Sequence, residues 1–202
     1  MKVKTKSDAL NIFKRHGGIL RLSEAHRLGV HPATLYQMRD AGVIDQVERG
    51  LYAVKNLAEH AHPDLVIIAK KVPHGVVCLI SALYFHHLTT QIPHYVYVAI
   101  EQHATAPVIT YPPTHFFWFS GRNFTEGVET HIFSGIKICC YNPEKTIVDC
   151  FRYRNKIGLD VALEALRNYL GSSNCKIDKL REYATIARVA KIMKPYIEAI
   201  LE

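Results

Sequence analysis

The chain has 202 residues, 49% hydrophobic and 21% charged, a globular composition that excludes a disordered or fibrous protein. Its formal charge of +7 and pI of about 9.1 favour a polyanionic partner. Five cysteines without a Cys-x-x-Cys argue against a disulfide framework or zinc ribbon and fit a reducing cytoplasm. The first ten residues, MKVKTKSDAL, lack the apolar run of a signal peptide, and no stretch approaches the ~20 apolar residues of a membrane span. A cytoplasmic protein with no membrane partner is expected.

Residues 1–6 form a short basic lead-in. Residues 7–15 read as an amphipathic helix with Ala9, Ile12 and Phe13 on one side, capped by Thr5 or Ser7 and ended by Gly17-Gly18. Ile19 and Leu20 supply a short extended segment. Ser23 is the expected cap of a helix through Glu24, Ala25 and Leu28, with Gly29 ending it. Val30 plugs the following turn into the core. His31-Pro32 starts a second helix, since proline at the first helical position loses no useful donor. Leu35 and Met38, three apart, turn one side of that helix inward, and Gly42 stops it. Val43, Ile44 and Val47 read as a strand, Arg49-Gly50 as a turn, and Leu51, Tyr52 and Val54 as the returning strand. Helix, strand, helix, turn, helix and hairpin make a winged helix-turn-helix, a module that lays one helix in the DNA major groove.

The charge agrees with that reading. Residues 1–55 hold ten Lys/Arg against five Asp/Glu, so most of the positive excess sits there. With Leu35 and Met38 inward, the 100° turn per residue puts Ala33, Tyr36, Gln37 and Asp40 outward, with Thr34 and Arg39 on the flanks. Gln37 suits an adenine edge, Arg39 a guanine or phosphate, Thr34 a thymine methyl or phosphate, and Tyr36 a backbone or base contact. Arg49, at the wing tip, is placed for the minor groove or a phosphate. Lys14, Arg15, Arg21 and Arg27 are candidates for backbone contacts. Asp40, which would face phosphates, is expected to pair with a neighbouring basic side chain.

Residues 56–63 (NLAEHAHP) are a polar connector, so the expected domains are 1–57, the DNA-binding module, and 58–202, a larger α/β domain. Helices are expected at 63–71 and 81–88 around a short strand at 76–78. Strands follow at 95–100, 108–111, 115–119, 128–133 and 136–140, with Gly121, Gly127 and Gly135 between segments. Asn142-Pro143-Glu144-Lys145 starts a helix carrying Ile147, Val148 and Phe151 inward. Further helices are expected at 159–170, 177–183 and 189–201, the last with Pro195 as a kink site. The fold class is therefore α/β (α+β), with a central sheet and a helical C-terminus in the second domain.

Chemistry-bearing motifs are sparse. Nine of the twelve histidines lie beyond residue 57, but His60-x-His62 and His86-His87 make no ligand-spaced set, and no metal or cofactor is expected. There is no Walker A loop, no G-x-G-x-x-G and no Gly-x-Ser-x-Gly. Asp149, Arg152 and Arg154 read as a charged helix face, and the cysteines, in apolar strings, as core. Trp118 in HFFWF also reads as core. No catalytic residues are assigned.

The run GGILRLSEAHRLGVHPATLYQMRDAGVIDQVERGLYAV resembles the winged-helix domain of AbiEi-type antitoxins, the regulator half of type IV abortive-infection toxin–antitoxin pairs. The later runs YNPEKTIVDCFRYRNKIGLDVALEALRNYL and LREYATIARVAKIMKPYIEAIL are similar to that family's C-terminal half. The resemblance implies a bacterial repressor that binds inverted repeats in its own promoter as a homodimer or a cooperative pair. It also implies antagonism of a nucleotidyltransferase-like toxin, without a required stable complex. The family-type DNA contacts carry over to Thr34, Tyr36, Gln37, Arg39 and Arg49. Two other readings stay open: a nucleic-acid-modifying enzyme targeted by the winged helix, and a regulator that senses a ligand near Tyr95, Tyr97 and Trp118.

Overall fold

In the computed structural model, residues 5–55, 62–133 and 136–201 are described. The basic lead-in up to residue 4, most of the polar connector with His60, and Gly135 lie outside the described residues. The chain forms two compact units. One comprises residues 1–73, 109–112 and 131–138, and the other residues 74–108, 113–130 and 139–202.

The first unit starts with α1 (Lys6–Arg15), capped by Thr5, whose hydroxyl accepts from the Asp8 N–H at 3.1 Å. Then come β1 (Ile19–Arg21), α2 (Leu22–Arg27), α3 (Pro32–Asp40), β2 (Ile44–Glu48) and β3 (Leu51–Val54). The three strands pair antiparallel in the order β1-β3-β2, which gives a winged helix. Phe13, Leu20, Ala25, Val30, Leu35, Met38, Ile44 and Tyr52 form its apolar core.

The start of α2 differs from expectation. Arg21, not Ser23, is the cap residue, and its N–H donates to the Glu24 carboxylate at 3.2 Å. Strand β1 runs straight into the helix because the Leu22 N–H donates to the Gly50 carbonyl at 2.8 Å. Glu24, three residues past the cap, therefore closes the helix end from inside. Glu24 also takes an ion pair at 3.1 Å from Lys70 of α4 (Pro63–Lys71), within the same unit. Tyr111 donates its phenol to Asp64 at 3.1 Å, and its carbonyl accepts from the Lys71 ammonium.

The second unit contains β4 (Val76–Val77), α5 (Leu79–Phe85), β5 (Val96–Glu101), β6 (Thr114–Phe119), α6 (Arg122–Thr125) and the parts of β7 (Val128–Phe133) and β8 (Ile136–Tyr141) that lie outside residues 131–138. It ends in α7 (Pro143–Arg152), α8 (Arg154–Ile157), α9 (Leu159–Leu170), α10 (Ile177–Ile186) and α11 (Ala190–Leu201), which contains Pro195. The sheet order is β6-β5-β4-β8-β7, with β4 antiparallel to β5 and parallel to β8, and β5 parallel to β6. Together these make a mixed α/β protein. No helix among the described residues is long and apolar enough to cross a membrane.

Three expectations fail here for physical reasons. Residues 108–110 are not a strand, and Val108 is 94% exposed. Pro107 and Pro112-Pro113 bracket the segment, and proline cannot donate to a ladder. Helix α5 stops at Phe85, and His86 instead meets the Tyr141 carbonyl through Nε2 at 2.7 Å. The charged face expected on α7 is also not all exposed. Asn142 caps the helix as its sequence predicts, accepting from the Lys145 N–H at 2.9 Å. Lys145 and Asp149, however, are 0% and 1% exposed and bond each other at 2.5 Å. The Lys145 ammonium lies 4.9 Å from the Phe119 ring centre and 4.6 Å from that of Tyr141. Asp149 belongs to the expected charged face with Arg152 and Arg154, but sequence alone does not say which side of the helix the sheet covers.

Burial drives the Asp149 carboxyl upward, and Lys145 and Arg152 oppose that. A buried pair loses most when one charge is stranded. Lys145→Met and Asp149→Leu are each expected to cost about 3–5 kcal/mol, and the double variant clearly less than their sum. Urea unfolding of the four proteins checks this. At Glu24, burial raises the carboxyl, but the Arg21 N–H and Lys70 together hold it below the ordinary value. The stability it contributes is present above that ordinary value and is lost as pH falls through the folded one. Melting midpoints measured from pH ~6 to ~3 should drop less steeply in Glu24→Gln than in the parent.

Candidate nucleic-acid interface

The exposed side of α3 is set by what the helix buries. Pro32 fixes the first turn, and the His31 side chain caps it, Nδ1 accepting from the Ala33 N–H at 3.2 Å. Leu35 and Met38 are fully buried. Tyr36, Gln37, Arg39 and Asp40 face solvent, and Thr34 is half-buried. The wing turns at Arg49-Gly50, where Gly50 has φ +79°, a left-handed conformation that glycine adopts without strain. Between helix and wing lies an open groove lined by Leu22, Tyr36, Arg39, Gln46, Arg49, Gly50 and Tyr52.

Arg39 is one of the two arginines that line this groove. Its Nε and an Nη donate to Asp40 Oδ1 at 3.0 and 2.8 Å, and its other Nη reaches Gln46 Oε1 at 3.5 Å. The guanidinium lies 5.4 Å from the Tyr36 ring centre. Both ion-pair partners are exposed, so the pair orients Arg39 at little energetic cost to its release. The Tyr52 phenol forms part of the lining, and burial and the neighbouring Tyr36 phenol push its pKa upward.

Of the residues expected to contact DNA, Tyr36, Arg39 and Arg49 line the groove. Gln37 is exposed on the same helix, and Thr34 lies near its start. Arg21 is exposed and pairs with Leu51, the residue that follows the wing turn. Lys14 and Arg15 end α1 and Arg27 ends α2; all three are exposed, and none lines the groove. Gln46 and Tyr52 were not anticipated. They are cross-strand partners because a bulge between Gln46 and Glu48 shifts the register. A plain two-residue hairpin would have set Val47 opposite Tyr52, so the hydrophobic pattern carries no sign of Gln46.

The second unit offers little for catalysis. Asp149 is enclosed in its ion pair, and Glu126 accepts from Arg122 at 3.1 Å. Among the described residues, no three His, Cys, Asp or Glu side chains converge to hold a metal. Burial beside Asp149 raises the Cys78 and Cys150 thiols and keeps them protonated. Trp118, expected in the core, is 48% exposed and borders a shallow groove along β6.

The geometry of the wing gives one stability prediction. Nothing lies within 4 Å of a Cβ placed on Gly50, so Gly50→Ala isolates the backbone term. It is expected to cost about 1 kcal/mol, measured by thermal melting of the full chain.

Comparison with known proteins places the first unit in context. Residues 7–55 match the family model described as "Transcriptional regulator, AbiEi antitoxin". No curated protein matches the chain. The matched segment spans α1 through β3 and supports the AbiEi-type antitoxin resemblance carried by the sequence.

Proposed function

Taking residues 7–55 as the regulator module of an AbiEi-type antitoxin, we propose that the protein is a sequence-specific repressor of duplex DNA that autoregulates its operon. In this reading α3 enters the major groove. Gln37 and Arg39 read base edges there, Thr34 and Tyr36 contact base or backbone, and Arg49 reaches a minor groove or phosphate. Arg21, Arg27, Lys14 and Arg15 supply phosphate contacts. The observation that carries the reading is the groove between α3 and the wing. Two arginines, Arg39 and Arg49, line it, and a fully packed core supports it.

Two copies on an inverted repeat, as a dimer or a cooperative pair, suit an operator of that symmetry. Residues 1–57 serve DNA in this division of labour. Residues 58–202 serve antagonism of a nucleotidyltransferase-like toxin, with no stable complex required. The protein acts as a regulator and not as an enzyme.

Gel shifts with the DNA upstream of the gene, across a salt series, test the proposal. Arg39→Ala should cost ~1–3 kcal/mol and relax preference at one base position. Arg49→Ala should weaken all sequences alike and lower the salt slope by about 1. Asp40→Asn, which frees Arg39, should tighten binding to unrelated DNA and narrow the margin over the operator. Binding that ignores sequence and is untouched by Arg39→Ala and Arg49→Ala would overturn the reading.

A further inference from the structure

The second unit carries an aromatic and cationic feature that duplex reading by the first does not use. Strand β6 (THFFWF) is an edge of the five-stranded sheet and bears no formal charge from Thr114 to Phe119. Along it runs a shallow, open groove lined by Tyr97, His115, Phe117, Trp118, Lys156 and their neighbours. His115 is exposed and stacks on Tyr95, with ring centres 4.0 Å apart and planes 20° from parallel. Tyr95 is 43% exposed. Tyr97, opposite His115 in register, meets the same imidazole edge-on at 5.7 Å.

The other wall is cationic. The Lys156 ammonium lies 5.7 Å from the Phe117 ring centre and 5.8 Å from that of Tyr153. Arg152 lies over the same Tyr153 ring at 5.8 Å. Arg152, Arg154 and Lys156 thus put three positive charges into five residues with no acid between them. Among the described residues, no carboxylate lines the groove.

A deep apolar pocket would suit a metabolite. An open ledge of aromatic faces edged by cations suits a chain of flat bases joined by phosphates. A duplex hides its base faces and does not fit such a ledge. We infer that the β5–β6 ledge is a binding site for single-stranded nucleic acid, with bases stacking on Tyr95, Tyr97 and His115 and phosphates meeting Lys156 and Arg152. This site is independent of the duplex-reading groove.

Trp118 is the only tryptophan in the chain and lines the groove from the edge strand, one residue from Phe117, so its emission reports occupancy of the groove. The experiment uses the full chain carrying Arg39→Ala and Arg49→Ala, which silences the proposed duplex site. It is titrated with short oligoadenylates, deoxy and ribo, and with a hairpin duplex. The expected result is saturable quenching by a single strand, weakened by salt, with little response to the duplex. Which sugar binds more tightly tells DNA from RNA as the source. On that background, His115→Ala and Lys156→Glu, both at exposed positions, should each weaken binding by roughly tenfold while far-UV circular dichroism stays unchanged. Silence with both strands, equal quenching by the duplex, or quenching indifferent to His115→Ala and Lys156→Glu would overturn the inference. So would a dimer of the free protein that dissociates on Trp118→Ala, since a second copy would then cover this edge. Failure of the unsubstituted chain to bind the upstream DNA, with quenching by the single strand retained, would refute the repressor reading and leave this one standing.

Discussion

Burial of Leu35 and Met38 is the constraint on which the first unit depends. Their side chains lock into a core made by Phe13, Val30, Ile44 and Tyr52, elements drawn from every part of the module. Once those two positions are fixed, helical geometry leaves no choice about the rest. Tyr36, Gln37 and Arg39 must face outward, and the groove beside the wing follows from that. The recognition surface is in this sense a by-product of packing. The arginines contribute chemistry to a shape that apolar side chains have already determined.

The second unit rests on a different arrangement. Its α7 helix buries a lysine and an aspartate against the sheet, with the ammonium beside the stacked rings of Phe119 and Tyr141. Aromatic faces carry negative charge density and partly replace lost water. Gly127, at φ +73°, lets the chain approach this site, since a Cβ there would lie 2.7 Å from Lys145 Cβ. The Asn142 N–H donates to the Gly127 carbonyl at 2.7 Å, which pins the start of α7 to the residue before β7. Such a pair specifies one seating of the helix on the sheet more than it adds stability.

Much of this was legible in the sequence where local chemistry decides the outcome. Pro32, Asn142-Pro143 and the Arg49-Gly50 turn marked their elements because caps and turns act within a few residues. Several of the failures involve partners distant in the chain or a shift of register. Ser23 has the chemistry of a cap, but the Leu22 contact with Gly50 starts the helix earlier and gives the task to Glu24. Trp118 looks like core because HFFWF is apolar throughout, yet strand alternation turns Phe117 and Phe119 inward and leaves the indole outside. Gln46 entered the groove through a bulge that no composition rule announces. Asp149 reads as part of a charged face with Arg152 and Arg154, yet it is buried against Lys145 because the sheet covers that side of the helix.

The ion pair between Glu24 and Lys70 bears on where this module can be cut. The segment that matches the antitoxin-regulator family model ends at residue 55, whereas the lysine that steadies the root of α2 arrives with α4. Homology and mechanical integrity therefore have different borders. A graft of residues 7–55 onto a foreign protein would carry an acidic side chain bereft of its counter-ion beside the strand that bears the wing.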